Sequence, residues 1–437
     1  MLFHIPSNSD KANVLIIMTD QQRSDAVGYI NPLVQTPNLN ALAQRSTICT
    51  NTFVQSPQCQ PSRASILTGR YPTAHKVWWN ETQLPPTEVT IANIFKKAGY
   101  ATAYFGKLHV DGTKDHTSVA NHFGFSHTYL QEDWQNMIGS RHEAKSNKVK
   151  QEFYGPMSKN TWTGTIADRT FHHEDIITDK AIQFLKGTPI PNLTIVSYYG
   201  PHPPYAAPLE FSKLYDKSTI NPPSKRNVPN LLGHVMTDEE WIDLKLQYYA
   251  SISWIDDNIG RLLANVSKDT IVVFMSDHGD ILGDHGYFSK GIYAYDGNIK
   301  IPMLISAPQL PHTTYPHLVQ AIDLLPTLLD LCGIKQYEGI QGSILSDAIR
   351  NNRPHNEYVI SMLCHAFRLR MIRTQSYKYW IQGRQEFYYD LIADPTESNN
   401  LASDQSSYQK LSTARFALLK ALINCEDPLP SPRQIKS

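Results

Sequence analysis

No sign of charge prevails in this chain: its 437 residues carry 40 Lys and Arg against 40 Asp and Glu. It lacks the basic surplus with which a protein holds nucleic acid, so any preference for an anion must come from a local cluster. Cysteine is scarce as well. The five present (Cys49, Cys59, Cys332, Cys364 and Cys425) are odd in number and widely spaced, which argues against a disulfide framework and against a structural zinc site. No apolar stretch approaches the ~18 residues of a membrane span; near the N-terminus only Val14 to Met18 is apolar, and that is strand length. The same segment has no basic stretch leading into the apolar core of a secretory leader. The expected location is therefore cytoplasmic, although a trimmed leader would leave the same pattern. Internal repeats and low-complexity tracts are absent too. What remains, 41% hydrophobic and 18% charged residues, is an ordinary globular composition. The length suits one large domain plus a smaller one rather than a single core.

Apolar runs alternate with amphipathic stretches. Val14 to Met18, ending in Thr19-Asp20, reads as a parallel strand, since a strand covered on both faces is a continuous apolar run. Thr36 to Gln44 reads as a helix with Pro37 in its first turn. Thr87 to Ala98 reads as another, stopped by Gly99, and Tyr100 to Phe105 as the strand after it. Asp175 to Lys186 followed by Leu193 to Tyr199 repeats that unit. A capping box, Thr237-Asp-Glu-Glu240, opens a helix reaching Leu263. The strand Thr270 to Met275 then runs into Ser276-Asp277-His278-Gly279.

This alternation predicts an α/β fold with a mostly parallel sheet covered on both faces. In such sheets ligands gather at the carboxyl ends of the strands. Asp20, Lys107 with His109, His202, and Asp277 with His278 all lie just past expected strand ends. Beyond Pro354 the pattern changes. Phe367 to Arg373, Lys378 to Ile381 and Glu386 to Leu391 read as short antiparallel strands, and Tyr408 to Ile423 as a closing helix. The expected division is an α/β catalytic domain over 1–354 and a small subdomain over 355–437. Gly112 to Thr170, polar and weakly patterned, is expected to be an excursion or a binding loop.

The most specific string is Ser56 to Thr68 (SPQCQPSRASILT), closed by Gly69 and Arg70. It holds Cys59, Pro61, Ser62 and Arg63 in the order C-x-P-S-R. Asp20, Asp277 and His278 supply two carboxylates and an imidazole, a plausible set for a hard cation. Oxygen donors suit calcium or magnesium, and the added nitrogen admits manganese.

The cysteine string resembles the signature of type I sulfatases, of the alkaline phosphatase superfamily, in which that cysteine is oxidised to formylglycine. Further motifs of the family follow in order: D-x-x-R from Asp20, G-K-x-H at Gly106 to His109, and G-P-H-P-P at Gly200 to Pro204. After them come D-H-G-D-x-L-G-D-H-G at Asp277 to Gly286, Ser289-Lys290-Gly291, Asp323 to Leu331 and Tyr389 to Glu397. The resemblance covers nearly the whole chain. It implies an alkaline-phosphatase-like mostly parallel sheet flanked by helices, with a C-terminal antiparallel sheet and helix. Many members have a second Asp where this chain has Gln21, and Asn where it has His278. The Asp-Gln and Asp-His forms are similar to choline-sulfatase-like enzymes and to phosphonate monoester hydrolases, which leaves the metal and phosphorus substrates open.

Residue by residue, the resemblance implies that a maturation enzyme converts Cys59 to formylglycine. One hydroxyl of the hydrated aldehyde would attack sulfur, and loss of the other's proton would expel sulfate. Asp20, Cys59, Asp277 and His278 would hold one divalent cation, calcium first, with manganese or magnesium admitted. Arg63, permanently charged, would fix that cluster, and His109 with Lys107 beside it would act as base. His202 and Lys290 would bind the ester and assist the leaving oxygen, which needs a proton from a positioned acid. Asn80 would contact sulfate. His75 follows the signature helix and would either line the site or serve the structure. His172, His173, His285 and His365 stay unassigned, while Trp78, Trp79, Trp134 and Trp162 are candidates for sugar stacking or for core packing.

The expected activity is hydrolysis of a sulfate ester, with a carbohydrate sulfate as first substrate. A phosphonate monoester or phosphodiester hydrolase using the same nucleophile is the alternative. A silent sulfoglycan-binding relative is a further one, disfavoured because every expected catalytic position is filled. Specificity is expected in Gly112 to Thr170, in Pro222 to Gly233 and in the C-terminal subdomain.

Overall fold

A computed structural model describes residues 11–110, 116–131, 158, 161–166, 169, 172–188, 191–224, 233–364 and 368–429. The larger part runs β1 Val14–Asp20, α1 Pro37–Ala43, β2 Thr47–Phe53, α2 Cys59–Thr68, α3 Ile91–Lys97, β3 Ala101–Gly106 and β4 His127–Leu130. It continues with α4 His173–Gly187, β5 Asn192–Pro201, α5 Asp238–Leu263, β6 Ile271–Ser276, β7 Met303–Ser306, β8 Thr313–Gln320 and α6 Leu324–Leu331. Then come β9 Val359–Leu363, β10 Leu369–Arg373, β11 Tyr377–Gln382, β12 Gln385–Asp390 and α7 Tyr408–Ile423, with shorter segments between.

The central sheet has the order β8–β2–β7–β6–β1–β5–β3–β4. It is parallel except at β7, which pairs antiparallel with β6 and with β2, and at a two-residue strand, Lys300–Ile301, antiparallel to β2. Strand β1 is buried throughout, and its residues divide by parity. Val14, Ile16 and Met18 enter one apolar core, while Leu15 and Ile17 enter a second on the opposite face. Successive side chains point to opposite sides of a strand, so an unbroken apolar run needs cover on both. The first core is closed by Ala64 and Leu67 of α2, Phe95 of α3 and Leu328 of α6. The second is closed by Leu39 of α1, Ile177 of α4 and Ile259 of α5.

The strands β9 to β12 form a separate antiparallel sheet with the order β9–β10–β11–β12. It repeats the division. Ile360, Ile372, Tyr379 and Tyr388 pack on Leu411 and Leu418 of α7, whereas Val359, Met371 and Trp380 join the first large core. The α/β sandwich and the small antiparallel sheet with its closing helix are as expected.

The differences are local. The helix expected from Thr87 begins only at Ile91, because Thr90 and Asn93 cap each other reciprocally and fix the start there. Strand β10 is described from Leu369 rather than Phe367; Phe367 and His365 lie outside the described residues. So do Trp134, most of Gly112 to Thr170 and part of Pro222 to Gly233. Strands β2, β4, β7, β8 and β9 were not anticipated. No helix among the described residues is long and apolar enough to cross a membrane.

Candidate active site

The carboxyl edge of the central sheet collects the expected residues. Asp20 ends β1, Asp277 and His278 follow β6, Lys107 follows β3 and His202 follows β5. The turn after β3 requires glycine: Gly106 has φ +101°, and a Cβ there would lie 2.0 Å from the Ser197 carbonyl oxygen. Cys59 is the first residue of α2, a helix buried at every position and closed by Gly69 in the left-handed region, where glycine caps a helix at little cost. The helix thus aims its N-terminal residue at the strand ends.

Below Cys59 the side chains form one buried cluster. Ligand atoms of Asp20, Cys59, Asp277 and His278 all lie within 4.8 Å of one another. Arg63 Nε donates to Asp277 Oδ2 at 2.7 Å, Nη2 to Asp20 Oδ2 at 3.1 Å and Nη1 to Ser197 Oγ at 2.8 Å. Its Nη1 also donates to the Lys107 carbonyl. Lys107 Nζ reaches Asp20 Oδ2 at 2.6 Å and lies 4.9 Å from the Tyr199 ring centroid. His278 Nδ1 faces the Gly279 carbonyl at 2.8 Å; that contact assigns a proton to Nδ1 and turns Nε2 toward the cluster, where a bound cation would take the place of its proton.

Two carboxylates in one dry site cannot titrate alike. Burial and the Cys59 sulfur push Asp20 up, but Lys107, His202 and Arg63 outweigh them and hold it well below the carboxylate range. Asp277 is pushed up, by burial and then by Asp20. Burial pulls His278 down, but Asp277 and Cys59 carry it up to about 9. Burial also raises the Cys59 thiol, yet Lys107, Lys290 and His278, with a hydrogen bond to His109, bring it well below its ordinary value.

The cluster fits a divalent cation. Its donors are mainly hard, and Gln21 adds a buried Oε1 with no hydrogen-bond partner among the described residues. Gln21 is held in place by its own N–H on Asp277 Oδ1 at 3.0 Å and by its Nε2 on Asp280 Oδ2 at 2.7 Å and Ser289 Oγ at 2.9 Å. A buried, orphaned acceptor on the residue next to Asp20 is what a cation would satisfy.

Above Cys59 opens a pocket of about 320 Å³, lined by Cys59, Asn80, Lys107, His109, Gln131, His202 and Lys290. Lys290 Nζ lies 2.9 Å from Cys59 Sγ and 2.9 Å from His202 Nε2. His202 Nδ1 faces the Pro203 carbonyl at 2.7 Å. Asn80 Oδ1 accepts from Gln60 N at 3.1 Å, and its Nδ2 donates to Gln58 Oε1 at 3.3 Å. The residues expected to hold the cation, act as base and bind the ester are therefore gathered here.

His75 is not. It lies buried behind α2, accepting at Nδ1 from Val77 N at 3.1 Å, so its Nε2 donates to Ser65 Oγ at 2.9 Å. That is a structural post. Trp79 packs against the large core and Trp162 against Phe288, while Trp78 stays 45% exposed. His285 stacks on Tyr295, and His172 and His173 are buried side by side.

Two residues that sequence reasoning did not single out belong to the site's frame. Gln131 lines the pocket just past β4; the strand-end rule would have found it had β4 been recognised. Glu174, in the first turn of α4, accepts from Gly200 N at 2.7 Å and Tyr199 N at 3.4 Å, and so ties down the turn carrying His202. Burial pushes its carboxyl up to about 8, despite those two N–H groups.

The family model described as Sulfatase matches residues 12–334, and that described as N-sulphoglucosamine sulphohydrolase, C-terminal, matches 283–424. An ulvan-active sulfatase of Formosa agariphila is 34% identical over 421 residues, covering 90% of this chain and 77% of its own length. Among solved structures, phosphonate monoester hydrolase of Agrobacterium radiobacter superposes with a TM-score of 0.83 at 23% identity, covering 95% of this chain and 96% of its own. A structure in complex with its substrate D-glucosamine-2-N,6-O-disulfate superposes with a TM-score of 0.75 at 21% identity, covering 97% and 100%. At those identities the two structures speak for the fold. The family model and the 34% identical relative speak for descent, and the chain belongs to the sulfatase family.

Proposed function

We propose that the chain hydrolyses a carbohydrate sulfate to alcohol and inorganic sulfate, with residue 59 matured from cysteine to formylglycine and one divalent cation, calcium first. Asp20, residue 59, Asp277 and His278 would hold that cation, with Gln21 Oε1 as a further oxygen. The observation that carries this reading is the position of Cys59, between a carboxylate–imidazole floor and a pocket walled by Lys107, His109, His202 and Lys290. When bound, the cation would lower the pKa of an attacking hydroxyl and neutralise charge on the sulfate oxygens. The hydrated aldehyde would give residue 59 one hydroxyl to attack sulfur and a second whose deprotonation restores the aldehyde.

The chain's own residues divide the remaining work. Arg63 keeps both carboxylates in place through paired charge-assisted hydrogen bonds. His109, within hydrogen-bond reach of residue 59, stands where a base would take the second proton. The His202–Lys290 pair serves the leaving oxygen. His202 Nδ1, facing a carbonyl, carries the hydrogen, which leaves Nε2 as acceptor toward Lys290. Burial, then Lys290, pulls His202 down to about 4. Near neutral pH its imidazole is uncharged, and the proton to be donated sits on the Lys290 ammonium.

A carbohydrate leaving group is favoured by the pocket, whose lining side chains are polar throughout apart from residue 59, and by the relative named for activity on ulvan. The test is a rate comparison for the matured, metal-loaded enzyme on sulfated sugars, aryl sulfate, choline sulfate and a phosphonate monoester. Sulfated sugars are expected to give the highest kcat/KM. A phosphorus ester that outpaces the sulfate ester of the same leaving group would reverse the assignment.

A further inference from the structure

We propose that Trp78, Lys76 and Arg370 form a second saccharide subsite, which holds the sugar next to the one being desulfated. This rests on the reading of the chain as a carbohydrate sulfatase. A cavity of about 500 Å³ lies where the loop after His75 meets the C-terminal sheet, and Lys76, Trp78, Cys364, Arg370 and Glu426 line it. It is distinct from the pocket around Cys59 and shares none of its lining residues.

The chemistry of the lining fits an anionic sugar. Trp78 is left open where its two neighbours are covered. Val77 is fully buried and Trp79 packs on the core, yet Trp78 remains 45% exposed beside a concave, polar space. A broad ring held in that way offers an apolar face to the C–H face of a pyranose. Lys76, in the left-handed region with φ +67°, is tethered by its Nζ to the Thr73 carbonyl, which holds its charge at the cavity. Arg370 is fixed by Nη1 donating to the Leu363 carbonyl at 2.9 Å and the Leu369 carbonyl at 2.8 Å. Two cations of this kind match a sulfate or carboxylate substituent, and the exposed Glu426 can accept from hydroxyls. Asp427, also at the cavity, is turned inward to Arg70 at 2.6 Å, so its charge is already matched.

Position completes the case. Trp78 stands two residues before Asn80, which lines the reaction pocket. Two trans peptide units span at most ~7.6 Å between Cα atoms, which keeps Trp78 within the reach of a short oligosaccharide held at Asn80. The hydrogen-bonded C-terminal sheet supplies Arg370, which gives that subdomain a direct part in choosing among substrates.

The test uses the matured, metal-loaded enzyme and a length series (mono-, di- and tetrasaccharide) of the sulfated sugar it turns over, with 4-nitrophenyl sulfate as control. In the wild type kcat/KM should rise with chain length. Trp78→Ala and Arg370→Gln should each raise KM for the tetrasaccharide about tenfold, as the loss of a stacking or ion-pair contact predicts, and leave its kcat and both aryl sulfate constants within about twofold. Trp78→Phe should recover part of the loss. A flat length profile, or variants that slow the aryl sulfate in parallel, would overturn the subsite while leaving the sulfatase assignment standing. Failure of the matured wild type to cleave any sulfate ester would remove both.

Discussion

Around Cys59 the floor of the pocket and its rim are held in different ways. Asp20, Asp277 and His278 are 0% exposed and Arg63 is 1% exposed, and each is bonded to another member or to the backbone beneath it. His109, Asn80, Gln131, His202 and Lys290 are only half-buried, and the contact between His202 and Lys290 joins two of them. Removing one member of a buried ionic cluster strands the rest in a dry site, at roughly 3–5 kcal/mol. A half-buried residue carries no such penalty. The floor is therefore expected to couple stability, metal and chemistry, whereas the rim can change with the alcohol being released.

The largest effects should come from the floor. Cys59→Ala should lower kcat at least ~10⁴-fold, and peptide mass spectrometry of active wild type should find formylglycine at position 59. Active protein bearing only cysteine there would sink the proposed nucleophile. Asp277→Ala removes a proposed cation ligand and the partner of Arg63 Nε. Elemental analysis should show the metal gone, and the rate should fall ~10³-fold or more. Chelation of the wild type should reproduce the loss, and calcium should reverse it; full activity in stripped protein would refute the metal. Arg63→Met leaves Asp20 and Asp277 facing each other without the guanidinium. Urea unfolding should register roughly 3–5 kcal/mol of destabilisation, partly restored by added cation.

On the rim the loss should depend on the substrate. His202→Ala, which removes the acceptor that aims Lys290 Nζ, should reduce kcat/KM about 10²–10⁴-fold for an alkyl or sugar sulfate, whose leaving oxygen needs a proton. For 4-nitrophenyl sulfate, a far better leaving group, the same change should cost much less. Equal losses on both would show that His202 only positions the ester, and would erase the contrast with the floor.

The same contrast governs what could be read from the chain. Asp20, Lys107, His202 and Asp277 were legible because each ends or follows a strand whose apolar run is unmistakable. Parity then explains why those runs have no polar gap. Strand β4, with the sequence HTYL, is half-open to solvent at the sheet edge and has no such run, so Gln131 stayed hidden. Glu174 was illegible for another reason. An acidic residue in the first turn of a helix is favoured by the helix dipole, and nothing local distinguishes that role from an anchor for Tyr199 and Gly200. His75 could not be decided at all, because only the fold shows Ser65 and Val77 closing on its two ring nitrogens.

Gln131 gives the smallest expected effect and the sharpest probe of the rim. Its side chain lines the pocket opposite no fixed charge of its own strand, and an amide offers both a donor and an acceptor to a sugar hydroxyl. A neutral hydrogen bond of that kind is worth roughly 0.5–1.5 kcal/mol. Gln131→Ala should therefore raise KM about three- to tenfold for the sulfated sugar, leave kcat unaltered, and leave both constants unchanged for 4-nitrophenyl sulfate, which has no hydroxyl to lose. Its urea midpoint should match the wild type, in contrast to Arg63→Met. A fall in kcat on both substrates would place Gln131 against the reacting sulfate instead, and would move it from the rim to the floor in function if not in burial.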